Sequence, residues 1–260
     1  MTTEGQLTMA TTDIETATDL TYGADRQHMD VHRPPSSPAP APVVLLWHGR
    51  GGAERDVLAP LARGAARLGV LVLVPDWRPD APDGGRTQLA ESVAFARENA
   101  ARFGGDPERM VLAGWSLGAN AVLGVALDPA ALDGWRPPAV VGIAGGYRLP
   151  APTTGTVPIE VASRSAAPAP DPVPPIPVHL VHGTDDPTVG IEQSRELRDA
   201  LAERGWPVHL DELATDHAGV IMTAYDPARQ RCLPSTAQHA VDAGTHTARV
   251  IARAAGIPGN

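Results

Sequence analysis

The segment from Gly114 to Gly118, of sequence GWSLG, constrains the fold of this 260-residue chain more than any other. It follows the apolar run MVLA at 110–113 and precedes ANAVL at 119–123, so it lies where a strand turns directly into a helix. A serine on so sharp a turn needs neighbours without bulk, and the glycines on both sides of Ser116 meet this need. The pattern predicts a nucleophile elbow, on which the serine hydroxyl stands exposed above a sheet.

Strand and helix patterns alternate along the rest of the chain. Apolar runs predict buried strands at 43–47, 70–74, 110–113, 139–143, 178–181 and 208–213. Helical spacing of apolar residues predicts helices at 56–68, 87–103 and 237–255, and an early antiparallel strand is expected within 22–33. The alternation indicates the α/β class, with a mostly parallel central sheet and helices on both faces.

An acid and a histidine follow the elbow at strand ends, where open α/β sheets place their chemistry. The strand at 178–181 leads into a polar turn that contains Asp185 and Asp186. The strand at 208–213 leads into a loop that contains His217. Each separation is long enough for a crossover and a strand. We therefore expect Ser116, one of these acids and His217 to meet at one edge of the sheet.

These residue types suit acyl transfer. A serine hydroxyl is a weak nucleophile at neutral pH and needs a base within hydrogen-bond reach, which His217 can supply. The other ring nitrogen of that histidine needs a fixed carboxylate to set its tautomer and to stabilise the imidazolium. Backbone amides aimed at the developing oxyanion would stabilise the negative charge, and glycine lets backbone approach closely.

Four motifs together resemble the serine carboxylesterases of the α/β-hydrolase superfamily. They are HGRGG at 48–52, GWSLG at 114–118, HGTDDP at 182–187 and DHAG at 216–219, and the resemblance spans about residues 20–256. It implies an α/β-hydrolase fold with a catalytic triad. An acid directly before proline is the pattern of that family, so the resemblance favours Asp186 over Asp185. The implied triad is Ser116, Asp186 and His217.

The loop at 48–52 follows the strand at 43–47 and is similar to the HGGG-type oxyanion loop of the same family. Arg50 stands where that pattern has its second glycine. The resemblance implies that the oxyanion hole consists of the backbone amides of Arg50, Gly51 and Leu117. His48 and His182, which precede glycine at strand ends, are expected to brace their loops rather than to act as the base.

Domain organisation is simple in this interpretation. Residues 1–17 are predicted to be a loose lead-in and residues 18–260 a single domain. The segment 145–177 is rich in proline, which predicts an irregular flap, or a plain linker, and no helical cap. Tyr147 and Arg148, at the start of this segment, are candidates to line the substrate pocket, or else plain surface residues. Trp47 and Trp115 are further candidates, although core packing is an equal possibility for the two tryptophans.

Charge and residue composition limit the binding partners, the cellular location and the cofactors that we expect. A formal charge of −9 gives no reason to expect binding to nucleic acid or to an anionic membrane. The N-terminal residues lack the pattern of a secretory signal, and the single cysteine, Cys232, fits a reducing compartment, so we expect a cytoplasmic protein. The histidines show no metal-ligand spacing, so neither a metal nor another cofactor is expected. The oligomeric state stays open.

The sequence therefore predicts a serine hydrolase that cleaves a small-molecule carboxylic ester through an acyl-enzyme intermediate. The absence of an amphipathic lid pattern favours short acyl groups, because a long-chain lipase must shelter a large apolar groove. An amidase, a formamidase or a peptidase-like acyl hydrolase of the same fold stays open. A ligand-binding member without turnover is a further alternative, although such proteins usually lack a triad residue.

Overall fold

A computed structural model describes residues 14–35, 39–128, 130–164 and 173–258. The strands are β1 Glu15–Tyr22, β2 Gln27–Arg33, β3 Ala41–Trp47, β4 Leu71–Pro75, β5 Gly105–Trp115, β6 Val140–Ile143, β7 Val178–Gly183, β8 Val208–Leu213, β9 Thr223–Asp226 and β10 Arg231–Pro234. The α-helices are α1 Ala59–Arg67, α2 Arg86–Asn99, α3 Leu117–Leu127, α4 Pro158–Ala162, α5 Glu192–Glu203 and α6 Gln238–Ala254. Short 3₁₀ turns lie at Arg55–Leu58, Ala100–Phe103 and Gly219–Ile221.

Eight strands form one sheet in the order β1-β2-β4-β3-β5-β6-β7-β8. The β1–β2 and β2–β4 pairs are antiparallel, and all other neighbours in this sheet are parallel. The parallel strands end at the same edge of the sheet, so the loops that follow β3, β5, β7 and β8 come together there. Strand β5, which carries the elbow, lies between β3 and β6 near the middle of the sheet.

Apolar side chains form a core on each face of the sheet. One core combines Leu45 and Leu112 of the central strands with residues of α2, α3 and α5, such as Leu201. The other combines Val44 and Val111 with residues of α1 and α6. Because side chains alternate across a strand, the central strands supply both cores and are apolar at nearly every position. The predicted fold class, a mostly parallel sheet with helices on both faces, is confirmed.

Several boundaries differ from the sequence prediction. Strand β1 begins at Glu15, so the last residues of the predicted lead-in, 15–17, belong to the sheet, whereas 1–13 lie outside the described residues. This strand is an edge strand with mostly exposed side chains, which is why its apolar pattern is weak. The β9–β10 hairpin was not predicted from the sequence either.

The proline-rich segment 145–177 contains one short helix, which corrects the prediction of a segment without helix. Helix α4 has five residues, and Pro158 occupies its first turn, where a missing N–H has no cost. Residues 165–172 of this segment lie outside the described part of the chain. No helical cap is present in the described part. Nor does any described helix combine the length and apolar character needed to cross a bilayer.

Candidate active site

Ser116 lies on a sharp turn between β5 and α3, as the elbow pattern predicts. Its backbone has φ of 56° and ψ of −118°, a region that residues other than glycine rarely adopt. A Cβ at Gly114 would clash with the carbonyl of Gly118, and one at Gly118 would clash with the carbonyl of Trp47. The two glycines therefore permit the turn, and the Ser116 amide donates a hydrogen bond to the Ile143 carbonyl at 2.8 Å, which holds the elbow against β6.

The loops that carry the acid and the base are bonded to each other. The Thr184 amide donates to the Leu213 carbonyl at 2.8 Å, and the Asp185 amide donates to the Thr215 carbonyl at 3.0 Å. These bonds extend the parallel pairing of β7 and β8 beyond the ends of the strands. The Asp186 side chain thereby points toward the loop that contains His217.

The structure brings Ser116, His217 and Asp186 into one hydrogen-bonded series. His217 Nε2 lies 3.0 Å from Ser116 Oγ, and His217 Nδ1 lies 2.6 Å from Asp186 Oδ2. An ionised carboxylate only accepts hydrogen bonds, so Nδ1 carries the proton and Nε2 is free to accept the serine hydroxyl proton. The Asp186 side chain is fully buried, and the His217 side chain is 12% exposed. Asp185, the neighbouring acid, is exposed and makes no such contact.

Asp186 is held in the ionised form by the groups around it. Burial raises its pKa, but hydrogen bonds from His182 and His217 outweigh this effect and hold the pKa well below its usual range. Its other oxygen, Oδ1, accepts from the amides of Thr188 at 2.8 Å and Val189 at 2.9 Å. The carboxylate is therefore fixed both in orientation and in charge.

A second histidine lies behind the acid. His182 Nε2 is 2.9 Å from the Val189 carbonyl and 3.3 Å from Asp186 Oδ2. Both groups are acceptors, so Nε2 carries the proton, and Nδ1 accepts from the Ser194 hydroxyl at 2.7 Å. His182 and Ser194 are both fully buried. His182 thus braces its loop, as predicted from the sequence, and it also supports Asp186, which was not predicted.

Trp115 fixes the loop of the base. Its indole Nε1–H donates to the His217 carbonyl at 3.0 Å, and the two rings lie 5.1 Å apart between centroids. Asp216 Oδ1 accepts from the Ala218 and Gly219 amides, which closes the turn after the histidine. The Trp115 side chain, which is only 5% exposed, contacts His217 and does not line the pocket described below.

Two backbone amides beside Ser116 have no acceptor within the described residues, those of Arg50 and Leu117. Leu117 is the first residue of α3, and the first amides of a helix have no partner inside it. The loop after β3 passes close to the serine, since a Cβ at Gly49 would lie 3.3 Å from Ser116 Cβ. The Gly51 amide, in contrast, donates to Glu54 Oε2 at 3.0 Å. The Gly51 amide is therefore occupied in this structure, and of the three predicted oxyanion donors the amides of Arg50 and Leu117 remain candidates.

His48 holds the start of this loop. Its Nε2 accepts from the Trp77 amide at 3.1 Å, so Nδ1 carries the proton, and Nδ1 lies 3.1 Å from the Gly49 carbonyl. The ring is fully buried, and burial lowers its pKa to about 4, which keeps it neutral at physiological pH. Its contacts are those of the structural role that we predicted.

Two of the predicted pocket residues are buried elsewhere. Trp47 is fully buried in the core on one face of the sheet, where its Nε1 donates to Ser92 Oγ at 3.1 Å. Tyr147 is also fully buried and packs against Gly142 and Gly145. Neither side chain lines the pocket beside Ser116, so both predictions are corrected. Both residues fill space beneath the site, where flat and wide side chains pack well.

A pocket of about 490 Å³ opens beside Ser116. Its lining residues are Arg50, Ser116, Leu117, Asn120, Gly146, Arg148, Leu149, Thr188, Val189 and Gln193. Asn120 Nδ2 donates to the Gly146 carbonyl at 2.7 Å and to the Leu149 carbonyl at 3.2 Å, which fixes one wall. Arg148 lines this pocket, as expected from the sequence, whereas Asn120 and Gln193 were not singled out as lining residues. Within the described ranges, no group of three or more His, Cys, Asp or Glu side chains could hold a metal ion.

Comparison with known proteins gives limited sequence similarity. No protein-family model matches the chain. A curated rice protein (Oryza sativa subsp. japonica), described as a "Probable isoprenylcysteine alpha-carbonyl methylesterase ICMEL1", is 32% identical over 148 residues. That alignment covers 50% of this chain and 34% of the rice protein, so the similar region spans about a third of the relative's length.

Solved structures of esterases share the fold over nearly the whole chain. Thermogutta terrifontis esterase 2 superposes with a TM-score of 0.67 at 16% identity, covering 95% of this chain and 96% of that one. A Pyrobaculum calidifontis esterase superposes with a TM-score of 0.62 at 17% identity, covering 93% and 85%. At such low identity the likeness concerns the fold alone, and the α/β-hydrolase fold implied by the motifs is confirmed.

Proposed function

We propose that this chain is a serine esterase that hydrolyses short-acyl carboxylic esters through an acyl-enzyme intermediate. One observation carries the proposal: Ser116 is hydrogen-bonded in series to His217 and Asp186, stands on a strained elbow and lines a pocket. A structural hydrogen bond alone would not require a serine with positive φ, which costs about 1–3 kcal/mol. The esterases that share the fold, and the methylesterase description of the rice relative, agree with this reaction class.

The geometry fits the steps of ester hydrolysis. His217 Nε2 takes the hydroxyl proton while Ser116 Oγ attacks the ester carbonyl, and the histidine then protonates the departing alkoxide. Water enters next, gives its proton to the same nitrogen and attacks the acyl-enzyme, which releases the acid and restores the serine. Asp186 stabilises the imidazolium in both halves of the cycle. The steps of this cycle are carried out by Ser116, His217, Asp186 and a water molecule.

The amides of Arg50 and Leu117 are the proposed oxyanion donors. Both are free of other acceptors among the described residues; Arg50 belongs to the loop after β3, and Leu117 is the first residue of α3. Such donors stabilise the tetrahedral intermediate more than the substrate, and each contributes about 3–4 kcal/mol to lowering the barrier. His48 holds the loop that carries the Arg50 amide, and the start of helix α3 holds the Leu117 amide, so both donors are in place before a substrate binds.

Short acyl groups fit the pocket best. Six of its ten lining residues have polar or charged side chains and three have apolar ones, Leu117, Leu149 and Val189, so a long alkyl chain would have to pack against charged and amide groups. Trp47 and Trp115, the predicted candidates for the lining, do not line the pocket and give no support to this specificity. The proposal rests instead on the polar side chains in the lining and on the lack of a helical cap in the described segments.

Hydrolysis of a 4-nitrophenyl ester series tests the proposal. We expect kcat/KM to be highest for acetyl to butyryl esters and to fall steeply by octanoyl. Ser116→Ala should fold normally and lose at least about 10⁴-fold of kcat/KM. A maximum at decanoyl or longer would contradict the short-acyl assignment. An active Ser116→Ala enzyme would contradict the assignment of the nucleophile, and turnover of amides in preference to esters would make the chain an amidase.

A further inference from the structure

The charges that line the pocket have one sign. Arg50 and Arg148 are its only charged lining residues, and no carboxylate lines it. The whole chain carries a formal charge of −9, so acidic residues outnumber basic ones elsewhere on the molecule. An arginine stays protonated at every physiological pH. The pocket is thus locally cationic in an acidic protein, and we refer to these two side chains as the pocket arginines.

The Arg50 guanidinium has no ion-pair partner among the described residues, and the Glu54 carboxylate in the same loop bonds the Gly51 amide instead. The Arg50 side chain is exposed and makes no hydrogen bond or ion pair with any residue that the structure describes. Nearby arginines differ, since Arg55 pairs with Asp30 at 3.0 Å and Arg78 pairs with Asp80 at 2.6 Å. The HGGG-type loop has glycine at the position of Arg50 and therefore no side chain there, so the guanidinium is a feature that this pattern lacks.

Arg148 is held in place and partly neutralised. Its Nε and Nη2 both bond Glu196 Oε2, at 3.1 and 2.7 Å, so one edge of the guanidinium is used and Nη1 is not. Its own amide donates to Gln193 Oε1 at 3.1 Å, which fixes the loop. Glu196 pairs with Arg148 from outside the pocket lining. We therefore expect Arg50 to attract an anionic group of a substrate more strongly than Arg148 does.

We propose that the preferred substrates are carboxylic esters that carry a second, unreacted carboxylate, which Arg50 binds with support from Arg148. This inference rests on the proposed esterase function and names its substrate class. A guanidinium binds a carboxylate through paired N–H donors, and such charge-assisted bonds are stronger than neutral ones. Because the amide of Arg50 is a proposed oxyanion donor, the same residue would hold the substrate's carboxylate beside the reacting carbonyl.

Matched pairs of esters test the proposal on both sides of the scissile bond. On the acyl side, 4-nitrophenyl hydrogen glutarate is compared with 4-nitrophenyl methyl glutarate. On the alcohol side, 4-acetoxybenzoate is compared with methyl 4-acetoxybenzoate. The readout is the ratio of kcat/KM for the anionic ester to that for the neutral ester, divided by the same ratio for hydroxide-catalysed hydrolysis. Ser116→Ala supplies the blank for spontaneous reaction.

We expect the corrected ratio to favour the anionic ester about tenfold in at least one pair. Arg50→Gln should bring this ratio close to one, Arg50→Lys should keep part of it, and Arg148→Gln should lower it less. The ratio is taken within each enzyme, so a general loss of activity cancels. Arg67→Gln is the matched control, because Arg67 is another exposed arginine without a described ion pair, at the end of α1. It should leave the ratio unchanged.

Three results would overturn the substrate class: no pair favours the anion, Arg50→Gln keeps the wild-type ratio, or Arg67→Gln lowers it as much as Arg50→Gln does. Failure to hydrolyse all four esters would contradict the esterase function instead. In that case calorimetry tests the substrate class without turnover. It measures the affinities of 4-hydroxybenzoate and methyl 4-hydroxybenzoate for the wild type and for Arg50→Gln. Tighter binding of the anion that depends on Arg50 supports the site, and equal or weaker binding refutes it.

Discussion

Trp115→Phe tests whether the residue before the nucleophile positions the base. Phenylalanine keeps an aromatic ring in the strand but removes the indole N–H that bonds the His217 carbonyl at 3.0 Å. The lost hydrogen bond costs about 1 kcal/mol, and the space left by the smaller ring costs about 1–3 kcal/mol more. We therefore expect the free energy of unfolding to fall by about 2–4 kcal/mol.

The effect on catalysis should exceed what stability alone explains. With its carbonyl released and the ring contact weakened, His217 is less well placed against Ser116 Oγ, and small misplacements of a catalytic group cost about 100-fold. We expect kcat to fall by about 10- to 100-fold with KM nearly unchanged, because Trp115 does not line the pocket.

Trp47→Phe is the matched control. Trp47 is also buried and also donates through Nε1, but to Ser92 on the opposite face of the sheet. It should lose a similar free energy of unfolding in urea titrations and keep kcat within about twofold. Both variants are assayed with 4-nitrophenyl acetate at a temperature where urea curves show them folded. Equal losses of kcat in the two variants, or full kcat in Trp115→Phe, would refute the positioning role.

Three further predictions concern the acid and the buried histidines. Asp186→Asn should lose about 10⁴-fold of kcat and Asp185→Asn only a few-fold, and the reverse ranking would reject Asp186 as the triad acid. His182→Asn should lower kcat about tenfold when Asp186 is present but should add little to the loss in Asp186→Asn, because His182 acts through that carboxylate. Additive losses in the double variant would contradict the coupling of His182 to Asp186. Burial lowers the pKa of His48 to about 4, below the unfolded value near 6.5, so protonation favours the unfolded state and stability falls as pH falls between these values. Urea titrations measure how far the free energy of unfolding falls between pH 7 and pH 4. This fall should be about 3 kcal/mol smaller in His48→Asn than in the wild type, and an equal fall in both would contradict a buried, neutral His48.

The sequence predicts the central strands and the meeting of Ser116, Asp186 and His217 because both leave strong local signals. Strands β3 and β4 and the second half of β5, residues 110–115, are buried on both faces, so they are apolar at nearly every position. The triad side chains follow strands whose carboxyl ends share one edge of the sheet. Strand β1 leaves no such signal, because it is an edge strand whose first residues face solvent.

The two tryptophans could not be separated from the sequence, because their difference depends on register between strands. Trp47 pairs with Gly114 across β3 and β5, so Trp115 lies one residue further along and faces the opposite side of the sheet. The sequence does not contain this register. In the same way, the occupied amide of Gly51 depends on which rotamer Glu54 adopts.

Mapping of a covalent adduct tests the central claim most directly. The wild-type protein and Ser116→Ala are treated with a fluorophosphonate, and intact mass followed by peptide sequencing by mass spectrometry locates the product. A serine activated by His217 attacks phosphorus and displaces fluoride, so we expect one phosphonyl group on Ser116 in the wild type and none on Ser116→Ala. An unlabelled wild type, or a label on another residue, would contradict the claim that Ser116 is the nucleophile of a serine hydrolase.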